Sequence, residues 1–235
     1  MELIRKHWTE KDIDELLEYL TTLGRGEEKS KWEQNIVNTN LACLGITAPN
    51  ISAITKQIAK GNYMEFIKLL PWQNYPIVTI LGKLICEISD FNTLKNHLDK
   101  YSKRVDNWAH CDCLKLKINN ANRENFFRLA QEYIKSTHPF QRRIGIIILF
   151  SFIDEQYLQK IFHLIDSLHN EEHYYVNMAN AWLVCECFIK QRNITLAYLE
   201  KHHLNNFTIN KAISKCRDSF RVSSEDKELL LKFKK

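Results

Sequence analysis

The chain has 235 residues, enough for one large domain or a small repeat array with a real core. Hydrophobic residues at 45% and charged residues at 26% are ordinary for a soluble globular protein, and only 6 Gly and 4 Pro leave little room for the many tight turns of a sandwich or barrel. A net charge of +5 is modest and points to nucleic acid only where the cations gather on one face.

In chain order the apolar residues recur at helical period. Asp12 to Leu23 places Ile13, Leu16, Leu17 and Leu20 on one side and stops at Leu23-Gly24. Gly24 to Ser30 reads as a loop, and Lys29 to Leu44 as a second helix ending at Gly45. Thr47-Ala48-Pro49 opens a third, with Ile51, Ile54 and Ile58 inward. Tyr63 to Leu70 follows; Pro76 starts Ile77 to Ile88, and then comes Asn92 to Tyr101. Helices are expected next over Asn107 to Ile118, Arg123 to Lys135, Pro139 to Ile153, Glu155 to Leu168, Tyr174 to Ile189 and Thr195 to His202. The last two are Thr208 to Phe220 and Glu225 to Phe233, the second behind hydroxyl caps and first-turn acids at Ser223-Ser224-Glu225-Asp226. Consecutive helices on short loops, with no strand block, imply an all-α fold of stacked antiparallel pairs forming a single domain over residues 1–235.

The start, Met-Glu-Leu-Ile-Arg-Lys, has no signal-peptide core. The longest apolar run, Ile144 to Phe152, falls well short of the ~20 residues of a membrane span. A cytoplasmic protein without a membrane partner is the expectation. Seven Cys, odd in number and scattered, fit buried thiols. Cys111-x-Cys113 and Cys185-x-Cys187 lack zinc-knuckle spacing, and no His pair has ligand spacing, so no metal is expected. No glycine-rich phosphate loop or nucleophile turn is present, and nothing indicates a cofactor.

Three segments carry candidate chemistry. Trp108 and Asp112 stand four apart and share one helical face, where an aromatic plane beside a carboxylate suits a cationic centre. Taken alone, a core Trp with a solvated Asp explains the pair equally. Arg142 and Arg143 head an apolar helix and could grip phosphate, or could instead be snorkelling or salt-bridged. Tyr175, Ala179 and Trp182 fall on one side of a later helix, as either a contact face or an aromatic core stripe. Trp108, Arg143 and Trp182 recur at intervals of 35 and 39 residues, about one two-helix repeat. Equivalent positions of successive repeats line one surface of a solenoid. Trp108, Asp112, Arg143 and Trp182 are therefore expected on one concave patch.

At these residues the sequence resembles the AlkD-type glycosylases of the DNA alkylation repair family. Leu44-Gly45-Ile46-Thr47-Ala48-Pro49 is similar to the family's Leu-Gly-Ile-x-x-Pro turn, and Trp108 to Asp112 to its Trp-x-x-x-Asp element. Gln141 to Ile146 resembles its Arg-bearing helix, Tyr174 to Trp182 its Tyr-rich helix ending in Trp, and Asn210 to Ile213, with Arg217 and Arg221, its basic C-terminal helix. The resemblance implies HEAT-like repeats curving into an α-solenoid with a concave basic groove. It implies hydrolysis of the N-glycosidic bond of cationic alkylpurines, such as 3-methyladenine and 7-methylguanine, in duplex DNA. Asp112 would be the catalytic carboxylate, Trp108 and Trp182 the aromatic walls, and Arg143 the backbone-binding cation. Arg142, Thr47, Lys211, Lys215, Arg217 and Arg221 would contact DNA. An open groove needs no protein partner, so a monomer is expected. The sequence departs from the family pattern at Asn107, Ala109 and Asn38-Thr39-Asn40-Leu41. Those departures carry an alternative: a catalytically silent DNA-binding superhelix.

Overall fold

The computed structural model describes residues 1–235. It contains fourteen α-helices, two 3₁₀ segments and no strand. Its contacts divide the chain into two compact units, Met1–Lys117 and Ile118–Lys235.

The N-terminal unit holds α1 (Glu10–Thr22), α2 (Glu27–Val37), α3 (Ala48–Ile58), α4 (Tyr63–Leu69), α5 (Tyr75–Ile85), α6 (Phe91–Ser102) and α7 (Trp108–Asp112). Helix α1 begins at a reciprocal capping box: Thr9 Oγ1 accepts from the Asp12 amide, and the Asp12 carboxylate accepts from the Thr9 amide. Helix α5 is the hub, packed by α3, α4, α6 and α7. Its apolar residues run nearly all the way round, as burial on every side requires. Gly82 lets the fully buried Tyr101 ring approach it: a Cβ there would lie 2.5 Å from the phenol oxygen.

Two helices of this unit are shorter than their apolar patterns suggest. Helix α2 stops at Val37 instead of running to Leu44, because Asn38 turns left-handed (φ 55°). The next residues are then captured by Asp106, whose carboxylate accepts from Thr39 Oγ1 at 2.8 Å and from the Asn40 amide at 2.9 Å. Helix α7 keeps only its first turn, and the chain runs without regular structure from Leu114 to Asn119.

The C-terminal unit holds α8 (Arg123–Ile134), α9 (Pro139–Leu149), α10 (Leu158–Asp166), α11 (Tyr174–Lys190), α12 (Arg192–Leu199), α13 (Asn206–Asp218) and α14 (Ser224–Leu229). Helix α11 is buried along most of its length and packs on α9, α12 and α13. Ring contacts pair Phe140 with Tyr175 and Phe150 with Trp182, so α9 and α11 run parallel. The Tyr174–Phe207 rings near one end and the Glu186–Arg221 ion pair near the other set α13 parallel to α11. The result is a row of three parallel helices. Helix α8 backs α9 closely over Gly145, where a Cβ would meet the Ala130 carbonyl at 3.0 Å.

All seven cysteines are thiols, six of them buried and Cys113 half-buried. No helix is long and apolar enough to cross a membrane.

Candidate nucleic-acid site

In the N-terminal unit, α7 is built to hold Trp108 and Asp112 one turn apart. The fully buried Asn107 caps it, its Oδ1 accepting from the His110 amide at 2.9 Å. That bond fixes the amide orientation, so Asn107 Nδ2 donates to Asp106 Oδ1 and to His110 Nδ1, each at 2.8 Å. With Nδ1 accepting, the His110 proton sits on Nε2, 3.1 Å from the Tyr75 carbonyl. The Tyr75 ring stacks on the imidazole at 4.5 Å. Burial of His110 holds it down at about 4, against the opposing pull of the Tyr75 carbonyl and the Asp106 charge. Helix α7 thus rests on a neutral histidine and a saturated asparagine.

Two carboxylates flank this turn, and their surroundings separate them. Asp106 accepts from Thr39, Asn40 and Asn107, which spends it on the fold. Asp112 is half-buried at the last residue of α7 and takes no part in those three bonds. Trp108 is also half-buried, and its indole N–H donates to the Ile36 carbonyl at 3.1 Å. Helix α2 exposes Trp32 and Ile36, four residues apart, on its outer face. Trp32 lies outside every motif singled out above, although its helical spacing to Ile36 is a signal the sequence carries.

Thr47 caps α3 by accepting from the Asn50 amide at 3.4 Å. Beside the start of α3 lies a cavity of about 180 Å³, lined by residues that include Glu33, Tyr75, Thr79, Lys83 and Cys113. A neighbouring depression of about 250 Å³ is lined by Ser52, Thr55, Lys56, Lys83, Cys86, Glu87 and Lys115. Lys83 borders both, is half-buried and lacks an ion-pair partner. Lys56, Lys83 and Lys115 come from three separate elements, so no linear motif announces them. A further depression of about 510 Å³ is lined by His163, Asp166, Ser167, His169 and His203 and includes no candidate residue. No group of three or more His, Cys, Asp or Glu side chains is placed to hold a metal ion.

In the C-terminal unit the two arginines of α9 are turned inward. Arg142 forks onto Glu171, with Nε to Oε2 at 2.6 Å and Nη2 to Oε1 at 2.9 Å, and its Nη1 donates to the Ser136 and Thr137 carbonyls. Arg143 is 5% exposed and donates to the Tyr175 carbonyl. Glu171 also accepts from the His173 amide through its carboxylate, and from Asn177 and Asn205 through its carbonyl. It therefore ties the beginnings of α9, α11 and α13 together. Burial pushes its carboxyl up, but the Arg142 and His173 hydrogen bonds outweigh that and leave it below the usual range. Glu171→Ala should strand Arg142, which has 16% side-chain exposure, and cost about 3 kcal/mol. Urea unfolding monitored at neutral pH checks this. Because the folded carboxyl is depressed, the wild-type advantage is full above the ordinary Glu range and disappears as pH falls through the lowered value.

Outward, the same unit presents aromatics and cations together. Along α11 Tyr174, Trp182 and Lys190 are exposed, Tyr175, Met178 and Ile189 are half-buried, and Ala179 is fully buried. The exposed companion of Trp182 is thus Tyr174 rather than Ala179. Tyr174 meets Phe207 of α13 at 5.7 Å, and Lys211 Nζ lies 5.6 Å from the Phe207 ring centroid. Lys215 follows one turn on, half-buried, and Arg217 is exposed. Arg221 is exposed but committed to Glu186.

Among curated proteins and among solved structures, nothing matches this chain. The family model described as DNA alkylation repair enzyme matches residues 8–216, which include α7, both arginines of α9, Trp182 and most of α13. That match covers most of the 235 residues, and the chain belongs to the DNA alkylation repair enzyme family.

Proposed function

We propose that this family member is a DNA glycosylase that hydrolyses the N-glycosidic bond of cationic alkylpurines in duplex DNA. The observation that carries the reading is the α7 turn: Trp108 and Asp112 sit one turn apart and half-buried, on a helix fixed from beneath by Asn107 and His110. An alkylated purine is already cationic and leaves readily. As its bond breaks, positive charge passes to the deoxyribose, and a carboxylate beside it stabilises the developing oxocarbenium ion. Asp112 takes that role and orients the attacking water, while the Trp108 ring offers its π face to the sugar. In the C-terminal unit Trp182 is an aromatic wall, and Lys211, Lys215 and Arg217 contact phosphate. Arg143 contributes its charge from a buried position, and Arg142 braces the start of α11. Lys56, Lys83 and Lys115 add phosphate contacts to Thr47 in the N-terminal unit. HEAT-like stacking into a solenoid and a monomeric state are part of the same reading.

A second reading, a silent DNA-binding member, draws on the inward arginines: Arg142 is spent on Glu171 and Arg143 is 5% exposed. One assay separates the two. Purified protein incubated with methylated duplex DNA should release 3-methyladenine and 7-methylguanine, measured chromatographically. DNA binding without any released base would sink the glycosylase reading and leave the silent one.

A further inference from the structure

Phe220 is 95% exposed, far more than any other large apolar side chain of the protein. A loose tail would explain such exposure trivially, but the turn that carries Phe220 is braced on both sides. The Ser219 amide donates to the Cys216 carbonyl at 3.2 Å, and Cys216 is buried. The Arg221 amide donates to Ser219 Oγ at 3.2 Å. The Arg221 guanidinium forks onto Glu186, with one bond at 3.0 Å, and Glu186 is 9% exposed. Val222 then re-enters the core at 6% exposure. The chain therefore projects one aromatic ring from a fixed turn and forgoes its burial.

Lys215 and Arg217 occupy the last turn of α13 and neither forms an ion pair, while the nearby Glu186 is taken up by Arg221. They offset the negative end of the helix and supply charge for backbone phosphates next to the turn that carries the ring. An aromatic held out next to cations is the combination that stacks on an unstacked base or wedges into a weakened base step.

We infer that Phe220 is a base-stacking residue that engages a locally unpaired or unstacked position of bound DNA. This rests on the DNA reading of the preceding subsection but not on its chemistry. Arg217 and Lys215 supply the sequence-independent grip, and Phe220 supplies preference for DNA whose stacking is already broken. A site that has lost its base meets that condition and an intact duplex does not.

Fluorescence anisotropy tests it with two labelled duplexes, one fully paired and one containing a tetrahydrofuran abasic site. Phe220→Ala should lower affinity for the abasic duplex about tenfold and leave the paired duplex within twofold. Phe220→Trp should restore the preference. The salt slope should stay unchanged, because no phosphate contact is lost. Equal loss on both duplexes, or no loss on either, overturns the inference. So does a concentration-dependent self-association of the wild type, seen by sedimentation, that Phe220→Ala removes; the ring would then be a contact between copies. The readout is binding, so absence of base release by the wild type would defeat the glycosylase reading and leave this one standing.

Discussion

Asp112→Asn is expected to cut base release from methylated DNA about tenfold to a thousandfold, the range seen when one preorganised electrostatic stabiliser is removed. The substitution keeps the shape and removes the charge. The joins to Thr39, Asn40 and Asn107 belong to Asp106 and survive it. Affinity for DNA should hold or rise slightly, since a negative charge near phosphates is gone. Asp106→Asn is the informative control. It weakens those same joins, so it should lower stability and affect release only through that loss. Single-turnover release read beside thermal denaturation separates the two outcomes. Full activity in Asp112→Asn would remove the carboxylate from the mechanism.

What the sequence discloses about this molecule follows the range of the interactions involved. The Trp108–Asp112 turn is readable because both residues lie within one helical turn, and i to i+4 geometry needs no tertiary information. The helix positions are readable for the same reason, with Thr47, Asn74 and Pro76 marking starts through local chemistry. Where α2 ends is not. Its stop at Val37 is reinforced by Asp106, 67 residues beyond Thr39. The direction of Arg142 is equally hidden, since its partner Glu171 lies 29 residues away in a connecting segment. Two cations heading an apolar helix look the same in sequence whether they face phosphate or a buried carboxylate. Phe220 falls within the helix expected from Thr208, where it reads as one more apolar position. The helix ends at Asp218, and that early stop turns a core candidate into the most exposed ring of the chain. Lys56, Lys83 and Lys115 belong together only because α3, α5 and the segment after α7 meet around α5.

The buried His110 gives the N-terminal unit an acid limit whose direction follows from its surroundings. The ring is fully buried and neutral, with Nδ1 accepting from Asn107, and burial depresses it from 6.5 to about 4. In the unfolded chain it titrates near its ordinary value. Between those two values the unfolded state binds the extra proton, so stability rises with pH there. The contribution is complete above about 6.5 and is lost as pH falls toward 4. It amounts to about 3 kcal/mol, at roughly 1.4 kcal/mol for each pH unit separating the folded from the unfolded value. Below about 4 the folded state accepts the proton too and the dependence flattens. His97, His173 and His202 are also depressed by burial and act in the same direction, so the whole protein's pH profile does not isolate the effect. The difference between wild type and His110→Gln does. Gln retains a donor and an acceptor but cannot titrate, so the variant should be less stable at neutral pH and lose less on acidification. Urea unfolding at pH 7.5 and at pH 4.5 would show it. If the two proteins lost stability in parallel, His110 would not be buried neutral beneath α7, and the support assigned to the Trp108–Asp112 turn would have to come from elsewhere.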